Sequence, residues 1–274
     1  MPLDLPTAAK LWVPPKPAII RLAPDIIAPV LGIAMLARTS LVRAKRPAAA
    51  EASAPTFFGA GTAAFNANEG GTNNCSFPSS LAAGDLLFAC GGGDDIPFSG
   101  FEPSGGGWTE IGQSASSGFG VSVWWCVWDE SSSSTTLDAN TASNGTQVGG
   151  GFVFAVRGAD TSDPIEDPQD SSGSGTSMTA DAVTTSGANR LVCFFGGVGA
   201  SGASTPPGGW DERVDTGSTL GNDMQLTLDT KVQASAGSAG TATRTIASNP
   251  WGNGARTIAS NPWGTISWAI KPIS

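Results

Sequence analysis

The stretch Met224-Gln-Leu-Thr-Leu-Asp229 alternates apolar and polar residues with a period of two. The stretch Ile266-Ser-Trp-Ala-Ile270, close to the end of the chain, alternates in the same way. A period of two is typical of a β-strand that buries one face against a core. We therefore expect both stretches to be strands, each with one apolar face in the core and a polar outer face.

The composition favours an all-β protein and limits the kinds of catalytic and metal site that it can contain. The 274 residues include 37 Gly and 19 Pro, while charged residues make up 14%, as in proteins with many short strands joined by tight turns. His is absent, which excludes Ser-His-Asp triads, Cys-His dyads and histidine-ligated metal sites. No side chain with an ordinary pKa titrates between about pH 6 and 8, so we expect stability to vary little in that window.

The region from residue 57 to 274, called the body below, contains the same series of segments twice. We therefore predict a two-sheet, jelly-roll-like β-sandwich of eight to ten strands, built from two pseudo-repeats at about 62–160 and 176–274. The matching pairs are residues 84–91 with 189–196, 103–110 with 206–212, 121–128 with 224–232, and 152–156 with 266–270.

Residues 1–56, called the arm below, form a basic, proline-rich segment. Seven prolines precede residue 30 and favour extended backbone, while the stretch 30–45 can form a short helix. An extended segment this apolar cannot bury itself, so we expect it to lie in a groove of another protein or of a neighbouring subunit; the alternative is that it folds back on the body. The predicted partner-binding residues of the arm are Leu11, Trp12, Val13, Ile19, Ile20, Leu22, Ile26, Ile27 and Leu31.

The charge of the chain is divided between the arm and the body. Residues 1–47 carry seven cations and two anions, whereas the remainder is strongly acidic. Seven cations spread over 47 residues make a dilute patch, so nucleic acid is an unlikely partner and an acidic protein surface is a better one. The apolar stretch 26–37 is too short to span a membrane, and the cations that follow it argue against a cleaved signal peptide.

The segment from Val121 to Trp128 is apolar on both faces. Val121, Val123 and Trp125 supply one face, which leaves Trp124 and Trp128 on the other. Exposed Trp clusters mark interfaces or ligand platforms. We expect Trp124 and Trp128 to be covered by the arm, a loop or another subunit, most simply in a homo-oligomer, and their replacement by Ser to weaken assembly more than folding.

No other motif predicts catalysis, a cofactor or a metal. Residues 197–202 fit G-x-G-x-x-G, but the prolines that follow cannot open the helix needed to hold a pyrophosphate. The acidic residues of 160–170 stand beside prolines in turn-like contexts and are typical of a solvated loop rather than a calcium site. Three of the four cysteines lie in apolar runs and are predicted to be buried free thiols, although spacing alone leaves a disulfide open.

The order Gly84-Asp-Leu-Leu, Pro103-Ser-Gly-Gly-Gly-Trp and Arg157-Gly-Ala-Asp, followed by the second series, resembles a family of β-sandwich proteins common in the structural modules of tailed bacteriophages. The resemblance covers about residues 62–274. It implies a virion component without catalytic residues, such as a head spike, a decoration protein or a tail fibre or adaptor. Its partners would be capsid, portal, neck or tail proteins, and it would be assembled in the host cytoplasm.

Two other functions remain open at this stage. The exposed Trp residues would also suit a carbohydrate-binding module that attaches to a host-surface glycan. A polysaccharide-degrading enzyme is the remaining alternative, although no pair of catalytic carboxylates can be chosen from the sequence.

Deletion of residues 1–50 tests the predicted role of the arm. We expect the truncated chain to stay soluble and folded, because the segments that alternate with a period of two all lie in the body. We also expect it not to join a particle that the full chain joins. Thermal unfolding measures the first property and co-purification with particles the second; normal incorporation of the truncated chain would contradict the prediction.

Overall fold

The computed structural model of the chain describes residues 52–67, 72–94, 101–116, 118–139, 148–200, 202–220, 223–246 and 261–273. All of them belong to a unit that spans Ala49–Ser274. These residues contain no helix and are 64% strand, which confirms the all-β prediction. The arm, with its predicted short helix, lies outside the described residues apart from its last five residues.

Nineteen strands occur in the described residues, many of them short. Those of the first part are β1 (Thr56–Ala60), β2 (Ala64–Asn66), β3 (Thr72–Ser76), β4 (Leu86–Asp94), β5 (Phe101–Pro103), β6 (Thr109–Ser116), β7 (Phe119–Val127), β8 (Ser134–Ala139) and β9 (Gly149–Arg157). Those of the second part are β10 (Ile165–Ser174), β11 (Ser177–Ala180), β12 (Thr184–Thr185), β13 (Arg190–Val198), β14 (Ser204–Thr205), β15 (Asp211–Ser218), β16 (Met224–Gln233), β17 (Gly237–Ser238), β18 (Ala242–Ile246) and β19 (Pro262–Ile270).

The strands form two large antiparallel sheets and three small ones. The first large sheet has the order β1-β9-β4-β7-β6, with β2 also pairing with β9, and the second has the order β10-β19-β13-β16-β15. The small sheets are β3-β8-β5, β11-β18-β14 and β12-β17. The described body thus contains more sheets than the two that the sequence predicted.

The main core lies between the two large sheets. Alternate residues of their central strands point inward and are fully buried, as the period of two predicted. The ring of Phe88 stacks on Phe154 with centroids 4.8 Å apart, and it lies 5.7 Å from the ring of Trp268 across the interface. Burial of side chains this large is the dominant favourable contribution to folding, at about 25 cal/mol per Å² of apolar surface.

The outer faces of the large sheets are also buried, because the small sheets cover them. On the first large sheet, Leu87 and Val153 pack under Phe101 and Leu137 of the small sheet β3-β8-β5. On the second, Phe194 packs in a cluster with residues of β11 and β18. Each large sheet therefore contributes to two cores, one on each side.

The burial of the second outer face corrects one expectation. The polar residues Gln225, Thr227 and Asp229 of β16 were predicted to face solvent, but their exposed fractions are 4%, 1% and 0%. The covering sheet supplies their partners: Asp229, for example, accepts hydrogen bonds from Arg244 of β18. A polar face can be buried when its groups find such partners, so alternation alone did not show which face meets water.

Two strands lie outside the predicted halves. β1 precedes residue 62 and pairs with β9, while β10 lies between the halves and pairs with β19. The sequence of β10, Ile165-Glu-Asp-Pro-Gln-Asp-Ser-Ser-Gly-Ser174, has almost no apolar residues and contains a proline. Such a strand is tolerated because β10 is at the edge of its sheet, where alternate groups face solvent.

Glycines allow the small sheet β3-β8-β5 to approach the first large sheet closely. A Cβ on Gly151 would lie 2.2 Å from the Leu137 side chain, and one on Gly91 would lie 2.7 Å from the Phe101 side chain. These two glycines pair with each other in neighbouring strands. Larger residues there would push the small sheet away from the core it covers.

The nine-residue repeat near the end of the chain is shared between two strands. The first copy, residues 244–252, supplies the last residues of β18, and the second copy, residues 256–264, supplies the lead-in to β19. The residues between, 247–260, lie outside the described residues, as does the predicted looped-out insertion. Ile246 N–H donates to the carbonyl of Thr176 over 2.8 Å, while Gly175 N–H donates to the carbonyl of Asn261 over 2.9 Å. The ends of the gap are therefore held by adjacent residues.

Deletion of residues 247–258 should leave the fold intact. The deletion joins Ile246 to Ala259 and regenerates one uninterrupted copy of the repeat, so that β18 and β19 keep every described residue. Because both ends of the gap bond to neighbouring residues, two residues suffice to connect Ile246 with Asn261. We expect the melting temperature to change by less than about 4 °C; a loss of cooperative unfolding would show that the duplicated segment is needed for the fold.

Candidate functional site

The predicted site residues fall into two groups. Trp124 and Trp128 are described and lie on or beside β7 in the first large sheet. The predicted residues of the arm lie outside the described residues: Leu11, Trp12, Val13, Ile19, Ile20, Leu22, Ile26, Ile27 and Leu31.

Strand β7 has the two apolar faces that the sequence predicted. Val121 and Val123 are fully buried in the core between the large sheets. Trp124, Cys126 and Trp128 lie on the opposite face, partly buried, in the cluster beneath the small sheet β3-β8-β5. The indole N–H of Trp124 is buried and finds no hydrogen-bond partner among the described residues.

The chain itself thus provides part of the cover for Trp124 and Trp128. The sequence offered the arm, a loop or another subunit as the cover, and did not foresee a small sheet of the body. Both indoles contribute to an internal cluster, so replacing them with Ser should lower folding stability directly. The expectation that assembly would weaken more than folding did not include this contribution. The role of both indoles in binding a partner remains a prediction.

A groove of about 230 Å³ opens beside Trp128 at the edge of the first large sheet. Trp108 and Cys126 line it, together with the glycine loop 105–107 and the serine-rich segment that precedes β8. The Trp128 indole N–H donates to the carbonyl of Ser132 over 3.1 Å, which fixes the ring at the groove. Trp108 is fixed from the other side by an edge-to-face contact with Phe77, with ring centroids 6.5 Å apart.

Arg244 and Asp229 are both fully buried charged residues of the described body. The Arg244 side chain is 0% exposed and binds Asp229 through two hydrogen bonds of 2.8 and 2.9 Å. The same guanidinium contacts Glu212 at 2.6 Å and Asp215 at 2.8 Å, and donates to the Ser204 hydroxyl at 2.8 Å. One cation therefore holds three carboxylates together, and the cluster is net negative.

Asp229 has an unusual pKa because of this arrangement. Burial penalises its charged form, and the neighbouring carboxylates Glu212 and Asp215 add to the penalty. Arg244 opposes both effects without cancelling them, and the pKa of Asp229 rises from 3.8 to about 6. This group titrates at the lower edge of the window in which the sequence predicted constant stability.

Two further ion pairs of the body join parts of the chain that are distant in sequence. Arg157 binds Asp85 in a two-pronged contact of 2.8 and 2.6 Å, although Asp85 is 72 residues away. Burial alone would raise the pKa of Asp85, but hydrogen bonds, with those from Arg157 the strongest, outweigh it and lower the pKa. Glu166 pairs with Arg190 at 2.8 Å.

Three acidic residues of 160–170 contact other groups of the chain at or near its surface. Glu166 holds Arg190, Asp163 holds Lys271 at 2.6 Å, and Asp160 accepts hydrogen bonds from the following turn. Among the described residues, no group of three or more His, Cys, Asp or Glu side chains is placed to hold a metal ion. A strand, β14, follows the Gly-rich stretch 197–202.

The four cysteines are free thiols, as predicted. Cys75, Cys90 and Cys193 are buried, and Cys126 is partly buried at the groove. Burial raises the pKa of Cys75 to about 11 and that of Cys126 to about 12, so both thiols stay protonated at neutral pH. A protonated, poorly accessible thiol is a weak nucleophile.

Comparisons with known proteins give no assignment. The chain matches no family model, no curated protein and no solved structure. In the described part of the chain there is no helix long and apolar enough to cross a membrane.

The raised pKa of Asp229 predicts a pH-dependent stability. Between about pH 4 and 6 the folded protein holds a proton on Asp229 that the unfolded chain has lost, so this residue's contribution to the unfolding free energy falls as pH rises. From pH 5 to 7 we expect the unfolding free energy to fall by about 1 kcal/mol more in the wild type than in Asp229→Asn. Urea unfolding at both pH values measures this difference. The Asn variant retains Glu212 and Asp215 as partners for Arg244. An equal fall in unfolding free energy from pH 5 to 7 in the two proteins would contradict the raised pKa of Asp229.

Proposed function

We propose that the chain is a non-enzymatic structural protein of a virus particle. In this proposal the arm docks the protein on the particle, and the body is displayed outward as a head spike, a decoration protein or part of a tail fibre. The observation that supports it best is the use of charge within the body, where the described Lys and Arg side chains are paired with acceptors of the chain itself.

Every described Lys and Arg of the body has an internal partner. These contacts join residues up to 108 positions apart, as in the pair of Lys271 and Asp163. Such cross-links suit a protein that must keep one shape outside the cell. The pairs are Arg157 with Asp85, Arg190 with Glu166, Arg213 with Asp211, Arg244 with Glu212, Asp215 and Asp229, Lys271 with Asp163, and Lys231 with the Ala239 carbonyl.

We infer that the body arose by duplication of one jelly-roll-like sandwich. The central strand order β9-β4-β7-β6 of the first large sheet has its counterpart in β19-β13-β16-β15 of the second. The register agrees as well: Leu86 pairs with Val127 in the first sheet, and Leu191 pairs with Val232 in the second. Each large sheet also has small sheets on its outer face, so each half is a sandwich and the two sandwiches meet in the main core.

The charge division of the chain supports docking through the arm. The arm is basic and apolar, whereas the body is acidic. The net negative charge of the body favours its hydration at a particle surface, while the arm supplies the apolar residues that a stable attachment buries. The partners in this proposal are capsid, portal, neck or tail proteins, with further copies of the chain as neighbours.

The proposal is tested on particles from a lysate that contains the protein. Density-gradient purification followed by quantitative mass spectrometry should find a fixed copy number of the chain per particle, with a non-structural protein of the same lysate as the control that does not co-purify. A density map of the particle should then show a two-sandwich body on its surface. Recovery of the chain only in the soluble fraction, or release of reducing sugar from polysaccharide by the purified chain, would contradict the proposal.

A further inference from the structure

Trp108 lies opposite Cys126 at the edge of the first large sheet. It precedes β6 by one residue, and the first residue of β6, Thr109, pairs with Trp125 of β7. In an antiparallel ladder the next pair along is one residue back on one strand and one residue forward on the other. The register therefore sets Trp108 across from Cys126, and both line the groove described above.

The second large sheet has the same arrangement with a different residue across from the indole. Trp210 precedes β15, whose first residue, Asp211, pairs with Thr230 of β16. The register sets Trp210 across from Lys231, and the Lys231 ammonium lies 4.7 Å from the centroid of the Trp210 ring. The same ammonium donates a hydrogen bond to the carbonyl of Ala239. This is a cation–π contact completed by a backbone acceptor.

In the first sheet the position that corresponds to Lys231 is occupied by Cys126. Cys126 ends at its sulfur, so no ammonium from that position reaches Trp108. The space is bordered by a second indole, Trp128, and by the serine-rich segment with its backbone carbonyls. The groove thus offers an aromatic face and hydrogen-bond acceptors, which are the features that hold Lys231 in the second sheet.

The charge around the groove also favours a cation. The chain has no Lys or Arg between Arg46 and Arg157, whereas the same stretch contains ten Asp and Glu residues. Asp129 lies at the groove, and hydrogen bonds from Ser131 lower its pKa, so that it is ionised at neutral pH. An acidic surface with exposed acceptors and an indole face is complementary to an ammonium group.

We propose that the groove between Trp108 and Trp128 binds the ammonium group of a lysine on an extended segment of a partner protein. The partner's lysine takes the place that Lys231 occupies beside Trp210. The proposal adds a second contact surface to the docking arm, and it holds whether or not the protein is part of a virus particle.

The first experiment measures binding of a lysine peptide to the full chain. The probe is acetyl-Gly-Lys-Gly-amide, and its control is the same peptide with norleucine, which has no ammonium group. Tryptophan fluorescence and calorimetry should show that the lysine peptide binds about tenfold more tightly than the norleucine peptide, because the cation–π contact and Asp129 act on the charge alone. Added salt should weaken binding of the lysine peptide and leave binding of the norleucine peptide unchanged.

The second experiment changes the residue across from each indole. In Cys126→Lys the protein supplies its own ammonium to Trp108, so peptide affinity should fall about tenfold. In Leu220→Lys the same charge is added at an exposed position outside the groove, and this variant should bind like the wild type. Lys231→Cys opens a matching groove at Trp210 and should bind a second equivalent of peptide. Thermal unfolding of each variant checks that it is folded. If Cys126→Lys does not fold, the number of peptides bound by Lys231→Cys tests the proposal instead.

Three results would overturn the proposal. Equal affinity for the lysine and norleucine peptides would show an apolar groove without preference for a cation. Unchanged peptide binding by folded Cys126→Lys would place the peptide elsewhere on the protein. Binding of methyl glycosides at concentrations at which the lysine peptide does not bind would make the groove a carbohydrate site.

Discussion

The contact between the inner faces of the two large sheets is the interaction on which the rest of the structure depends. Phe88, Phe154 and Trp268 meet there as part of one fully buried cluster. Each central strand contributes alternate residues to this interface, so the other half of its residues must point outward. The body therefore has two outer faces as well, and the small sheets cover them.

The two outer faces are covered in different ways at matching positions. In the first sheet, Ala89 of β4 pairs with Trp124 of β7, and the small sheet covers an apolar surface. In the second, Phe194 of β13 pairs with Asp229, which lies in the buried cluster around Arg244. Removing Arg244 would leave Asp229 buried without its cation, so the ionic cover depends on this one residue.

The same difference between the sheets accounts for the groove. Lys231 fills the space beside Trp210 in the second sheet, while Cys126 leaves the corresponding space open in the first. In the second sheet the cation beside the indole comes from the chain itself, whereas the first keeps an aromatic groove in a stretch of chain without Lys or Arg.

The sequence by itself determined the all-β class and the inward faces of the central strands. These features are local, because alternation along Met224, Leu226 and Leu228 reports directly which side chains share a face. The same alternation cannot report what covers the opposite face, and so the burial of Asp229 and the cover over Trp124 came only from the tertiary structure. Arg244 is 15 residues from Asp229 and 32 from Glu212, and nothing in the local sequence pairs them. A buried charge and a solvated charge look alike in a sequence, since the difference between them is the partner that folding brings from elsewhere in the chain.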